Sequence, residues 1–432
     1  MKHPAPQYLA IKNARVLGGG TSILIDGDTI SGVDAPVPEG AQIMDAKGAT
    51  IAPGIVDLGV FAVDKEACIA GGITRVALMP DQSPVLDEPG IVQRAALAAK
   101  PDLWVHPLAA ATRGLAGVEL GEFAMMRAAG ARAVSTGRHW VADSGVMMKV
   151  MAYAASLGMV VISHAEDAGL TAGSVATSGE TASRLGLSSA PAEAEAMAIQ
   201  RDLMLAELTG VRLHFRQVTT ARGLDLVRAA KAKGVNVTCG IAPTHFLLSE
   251  IAINDFRTFA RLSPPLRSEA DRQACRAALA DGTIDVICSA HDPRGPEAKR
   301  LPFADADPGA AGAETLLALS LGLVRDGLLS TERLFELLAL TPSRLLGLEC
   351  GKISPGAPAD LLLFDAESPW QIDGARFAGK AGTRLLISCR FRGGLSPQSK
   401  AGACSVDQRG AVAPKASAFA RAALPSAPDL GR

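Results

Sequence analysis

The residues equipped for chemistry stand where apolar runs stop. "VVISHAED" ends in His164, Glu166 and Asp167, "VRLHFRQV" carries His214, Arg216 and Gln217, "CGIAPTHF" reaches His245, and "VICSAHDPRG" closes on His291, Asp292 and Arg294. Imidazoles and carboxylates at neighbouring chain ends are the parts of general acid–base catalysis or of a metal-activated water. Each also has a plainer reading. One imidazole does not hold zinc against water, so His164 alone reads as a pocket histidine held by its neighbours. Glu166 and Asp167 read as an N-terminal cap for the following helix, and Asp292 as a side chain turned into the loop beyond His291. Alternation along a strand puts His214 and Arg216 on one face and Gln217 on the other. Without a metal, His245 has no evident partner. Cys239 and Cys288 read as small buried apolar residues. Gly71, Gly72 and Gly240 serve turns or close packing, since no G-x-G-x-x-G follows a strand.

The elements that must position these residues alternate from residue 53 onward. Short β-branched runs are separated by longer amphipathic ones, the pattern of repeated βα units and a parallel sheet. The strand candidates are "GIVDLGVF", "ITRVALMP", "LWVHPLA", "ARAVST", "MVVISH", "VRLHFRQV", "VNVTCGI" and "IDVICSA". Together they predict a (β/α)8 TIM barrel over residues 53–350. Helical stretches such as "APAEAEAMAIQRDLMLAELTG" and "TARGLDLVRAAKAKG" end in glycine, the usual C-terminal stop. The flanking β-rich pieces, residues 1–52 and 351–397, are each too poor in apolar residues for a separate core. They are expected to pair into one small discontinuous β-sandwich. Residues 398–432 are rich in Ala, Pro, Ser and Gly and read as a flexible tail.

Composition narrows the function class. The 432 residues are 48% hydrophobic, and Lys+Arg 43 against Asp+Glu 44 leaves a formal charge of −1. That balance gives no footprint for nucleic acid or an anionic membrane, and points to a small-molecule or protein partner. The cysteines number 7, an odd total with no C-x-x-C pair, which fits a reducing cytoplasm. The start "MKHPAPQYLA" has no apolar core of a leader peptide, and the most apolar window, "VMMKVMAYAASLGMVVIS", is interrupted by Lys149. A cytoplasmic location is expected.

Segments in order along residues 10 to 395 resemble a known family: "APGIVDLGV", "AGGITRVALMPDQSPVLDEP", "ISHAEDAGL", "AEAEAMAIQRDLMLAELTGVRLHF", "TPSRLLGL" and "GKISPGAPADLLLFD". The chain is similar to the dihydroorotases of the amidohydrolase superfamily, the longer bacterial type related to allantoinases and hydantoinases. The resemblance implies a metal pair at the C-terminal ends of the barrel strands. It would be held by His-x-His on strand one, a carboxylate or carboxylated lysine after strand four, one His on each of strands five and six, and an Asp on strand eight. At those positions this chain has Gly59 and Phe61, then Thr136 and Gly137 with His139 and Asp143 further on, then His164, Gln217 and Ala290, with Arg294 in place of a last His. Of the six metal and acid/base positions, only His164 matches.

The positions that the resemblance assigns to substrate differ as well. Asp81 and Ser263 stand where the family has Asn, and only "AVDKE" joins strand one to its helix, leaving out an arginine-bearing segment that grips a carboxylate. A carboxylate at Asp81 would repel an anionic substrate. The expected result is a vestigial pocket of Asp81, His164, His245, Ser263 and His291, with no catalytic residue, metal or other cofactor. By the same resemblance, a non-catalytic homologue would act as a structural or assembly subunit with aspartate carbamoyltransferase of pyrimidine synthesis, as a homo- or hetero-oligomer. The alternative is an active cyclic-amide hydrolase with a divergent site, which would need zinc.

Overall fold

The computed structural model describes residues 8–371, 377–379, 390–395 and 418–419. Its centre is a ring of parallel strands. Ile55–Val60 pairs with Ile73–Leu78, which pairs with Trp104–Pro107. Ala109–Ala110 then leads through Val134–Ser135, Val160–Ser163, Arg212–Phe215 and Val237–Ile241 to Val286–Ile287. Trp104–Pro107 and Ala109–Ala110 are one barrel strand in two pieces. Pro107 has no N–H to give a ladder, while Leu108 donates back to Leu78 O (3.0 Å) and Ala109 forward to Ala133 O (2.8 Å). The eight expected runs therefore form the barrel, although the fourth and eighth are ordered as strand for only two residues each.

The barrel interior is a packed core. Val56, Leu58, Ala77, Met79, Leu108, Ala133, Val160, Ile162, Val286 and Cys288 are all buried and form one cluster. A larger cluster lies between the strands and the helices outside them. The helices begin and end by ordinary capping chemistry. Asp143 caps Ser144–Ser156 by accepting from Val146 N (2.8 Å), and Thr220 caps Ala221–Ala232 through Gly223 N (3.1 Å). Gly210, at φ 68°, stops the long helix Glu193–Thr209 in the left-handed conformation a glycine adopts without strain. Among the described residues, no helix is long and apolar enough to cross a membrane.

The flanking pieces meet as the pattern predicts. Thr50–Pro53 from the N-terminal piece pairs antiparallel with Leu361–Gln371 from the C-terminal one, and this sheet also takes in Arg15–Val16 and Arg390–Leu395. A second sheet contains Tyr8–Lys12, Ile23–Asp26, Thr29–Val33 and Gln42–Asp45. Ile11, Val16, Ile23, Ile25, Ile30, Ile51, Leu361 and Leu363 form the core they share. The tail expected at 398–432 lies outside the described residues, apart from Ala418–Phe419, which pairs with Leu361–Leu362.

Closure between the first and last barrel strands relies on one buried carboxylate. Asp57 is fully buried and accepts from Ser289 N (2.8 Å) and from the Ser289 hydroxyl, while Phe61 N donates to His291 O (2.9 Å). Burial pushes the Asp57 carboxyl up to about 6, against the pull of both Ser289 donors. An acid with a higher pKa folded than unfolded contributes stability that is whole below the unfolded value and is lost as pH rises through the folded one. From pH 4 to pH 7 the protein is therefore expected to lose roughly 2–3 kcal/mol relative to Asp57→Asn. Urea unfolding of both proteins across that range measures the difference, and parallel profiles would contradict it.

Candidate functional site

The mouth of the barrel lies where strand one leaves its ladder. The register shifts between Leu58 and Val60, with Gly59 at φ 118°. A Cβ on Gly59 would meet only ordinary contacts, Arg216 and Met79 atoms at 3.8 Å, so conformation rather than space makes this a glycine position. Phe61 follows and is buried. The Arg138 guanidinium lies over its ring at 3.8 Å from the centroid, and the Arg216 guanidinium approaches at 5.2 Å. The ring and the two cations fill the ground between strands one, four and six.

From Arg216 a chain of buried charged and polar groups runs across the barrel top. Arg216 Nη2 contacts His164 Nδ1 at 2.9 Å, and because a guanidinium only donates, Nδ1 must accept. The imidazole proton is then on Nε2, which faces Glu166 Oε2 at 3.3 Å. Glu166 Oε1 accepts from Arg267 Nη2 (2.7 Å), and the same nitrogen lies 3.5 Å from Glu195. Glu195 also accepts from Thr219 N and Thr220 N at 2.8–3.0 Å. Burial opposes ionisation of Glu166, yet Arg267 and the His164 N–H hold it down at about 2. Burial pushes His164 below the ordinary imidazole range, so it stays neutral.

A second group gathers on the loop after strand eight. Arg138 grips Asp292 through both terminal nitrogens, Nη2 to Oδ1 at 2.9 Å, and Arg294 Nη2 reaches the same carboxylate at 2.9 Å. Asp292 is thus buried and lines the cavity rather than turning into the loop beyond His291 as expected, because two guanidiniums draw it in. His291 accepts at Nδ1 from Gly312 N and Ala313 N, both at 3.2 Å, so its proton too is on Nε2, and burial lowers it to about 4. Ala290 stands between at φ 48°, unusual for a residue with a side chain.

Other expectations are corrected by the same geometry. Arg216 and Gln217 both line the cavity, since the strand ends at Phe215 and its alternation ends with it. Arg216 Nη1 donates to Gln217 Oε1 (2.9 Å), while His214 points elsewhere, with Nδ1 2.8 Å from Thr238 Oγ1. His245 has partners without a metal: Nε2 lies 3.0 Å from Pro264 O and Nδ1 3.1 Å from Thr244 Oγ1. Asp81 does not line the cavity; it accepts from Arg138 N (2.9 Å) and packs against Gly137, so its charge faces a cation rather than a ligand. Asp167 does cap its helix, accepting from Gly169 N and Leu170 N at 3.0 Å, but Glu166 belongs to the buried chain. Ser263 does line the cavity, as expected, from an exposed position at its rim. Cys239 and Cys288 are buried and free.

The resulting cavity has room for water centres amounting to about 50 Å³. Its lining includes Phe61, Arg216, Gln217, His245, Asp292 and Phe377. Phe377 belongs to a short segment fixed over the mouth by Glu314, which accepts from Ala378 N (3.0 Å) and Gly379 N (2.8 Å). These residues do not fit a metal pair. Among the described residues, no group of three or more His, Cys, Asp and Glu is placed to hold an ion. Gly59, Phe61 and Ala290 offer no side-chain donor, the His164 Nδ1 lone pair faces Arg216, and the Gln217 oxygen is taken by the same guanidinium. A fixed positive charge there further disfavours a divalent cation.

A parallel barrel with a discontinuous sandwich beside it is a fold shared with solved hydantoinase structures. The L-hydantoinase (dihydropyrimidinase) of Arthrobacter aurescens superposes with a TM-score of 0.79 at 24% identity, over 90% of this chain and 93% of that one. Residues 48–222 match the family model described as Dihydro-orotase-like. A dihydroorotase of Citrifermentans bemidjiense is 35% identical over 89% of this chain and 96% of its own length, and a dihydroorotase-like protein of Pseudomonas aeruginosa is 39% identical over 77% and 82%. The chain belongs to the dihydroorotase family.

Sequence reasoning missed Arg138, Arg267 and Glu195. The signal available for Arg138 was an arginine within three residues of the end of a barrel strand, as Arg216 is within one. Arg267→Met would leave Glu166 and Glu195 buried without their cation, and is expected to cost about 3–5 kcal/mol of stability by urea unfolding. Nitrogen-15 NMR of the ring should show His164 as the neutral Nε2–H tautomer from pH 8 down to 5.5. A signal that titrates within that range would contradict the hydrogen-bond chain.

Proposed function

We propose that this dihydroorotase-family protein does not carry out metal-dependent ring opening, and that it acts as a non-catalytic structural or assembly subunit in the cytoplasm. Relatives named dihydroorotase support a place in the pyrimidine pathway for the family. One observation supports the non-catalytic reading: Arg216 packs against Phe61, Gln217 and His164, positions that the resemblance assigns to metal ligands. The positions assigned to ligands and to the acid offer no set of donors able to lower the pKa of water. The barrel and its sandwich have packed apolar cores built from residues other than those at the ligand positions.

The partner proposed is aspartate carbamoyltransferase, on the strength of the resemblance to non-catalytic homologues. The competing reading, a working cyclic-amide hydrolase with a divergent donor set, draws on the names of the relatives. Elemental analysis, a dihydroorotate and hydantoin turnover assay, and light scattering of a mixture with the transferase separate the two. Expected are zinc well below stoichiometry, no turnover, and a defined complex at micromolar concentration. Stoichiometric zinc with turnover would establish the hydrolase instead, and separate species in the mixture would remove the assembly role.

A further inference from the structure

We infer that the cavity at the barrel mouth binds a small organic carboxylate, seated on Arg216 with the amide of Gln217 beside it and no metal ion between. The inference rests on the non-catalytic reading above. Arg216 lines the cavity while only 2% exposed, and among the described residues it has no carboxylate within ion-pair distance. Its Nε is buried with no hydrogen-bond partner. The connection to Glu166 passes through a neutral imidazole, so it orients the guanidinium without supplying a charge in contact.

The neighbouring cations are already satisfied. Arg138 holds Asp292 with two nitrogens, and Arg294 holds the same carboxylate. Asp81 accepts from Arg138 N and lies 4.0 Å from its Nε. Arg138 and Arg294 are matched by Asp81, Asp292 and Asp307, whereas Arg216 has no carboxylate in contact among the described residues. Because Arg216 only donates, Gln217 must present its oxygen to it; the Gln217 NH2 is then free to donate, and no acceptor for it stands among the described residues. A guanidinium fork with an amide N–H2 next to it matches the two oxygens of a carboxylate. Phe61, Leu262, Pro308 and Leu319 supply an apolar wall for a short carbon stem. Space for water centres of about 50 Å³ suits a compact acid rather than a large ring.

Calorimetric titration of the full chain with acetate, malonate and succinate tests this, with acetamide and inorganic phosphate as comparators and zinc content measured on the same preparation. At least one carboxylate should bind saturably at submillimolar concentration, more than tenfold tighter than acetamide or phosphate. Arg216→Met should weaken it at least tenfold while circular dichroism stays unchanged. If that variant does not fold, Gln217→Leu should weaken binding several-fold. No saturable binding to the zinc-free protein, equal binding of phosphate, or affinity indifferent to these substitutions would overturn the inference and leave the non-catalytic reading intact. Zinc at stoichiometry with turnover would instead sink the reading beneath it.

Discussion

The rim of this barrel is organised around a guanidinium that must be kept in place away from bulk water. Arg216 is held by Gln217 and His164, His164 by Glu166, Glu166 by Arg267, and Arg267 by Glu195 at the start of the long helix Glu193–Thr209. Every group in that chain is buried, so no member can be removed without stranding a charge or a polar atom next to it. The arrangement fixes both protonation and direction. His164 can donate only toward Glu166, and so cannot serve as a base toward the cavity or as a ligand through Nδ1.

The fold and the mouth are held by different interactions. The strands are held by apolar residues facing inward and outward, and the mouth by charge pairing. The first and last strands are tied through Asp57 and Ser289, below the rim. Substitutions above that tie leave the barrel closed. Gly59 and Ala290, at the two strand ends where ligand and acid are expected, are both at positive φ.

The barrel was legible because its signal is local. Runs such as "VVIS" and "VTCGI" declare buried strand by composition, and the helix stops at Gly210 and Gly234 are single-residue features. The pairing of the N- and C-terminal pieces was legible from what each lacked, a core of its own. The rim was not legible in the same way. Arg216 and Gln217 stand one and two residues past the strand, where period-two alternation no longer governs direction. Asp292 could not be placed without knowing that Arg138, 154 positions earlier, reaches it. Partners for Glu166 lie 101 positions away in Arg267. Pairing between such distant charges is decided by three-dimensional packing, which no window of sequence encodes.

The segment bearing Phe377 has a consequence for how this cavity comes to exist. Its backbone N–H groups at 378 and 379 are anchored on Glu314, so one wall of a recess built mainly by the barrel is supplied by residues that follow the sandwich strand Leu361–Gln371. During synthesis the barrel's strands can all emerge and pair before this wall has been made. The chamber gains its finished shape only when late-translated chain returns across it.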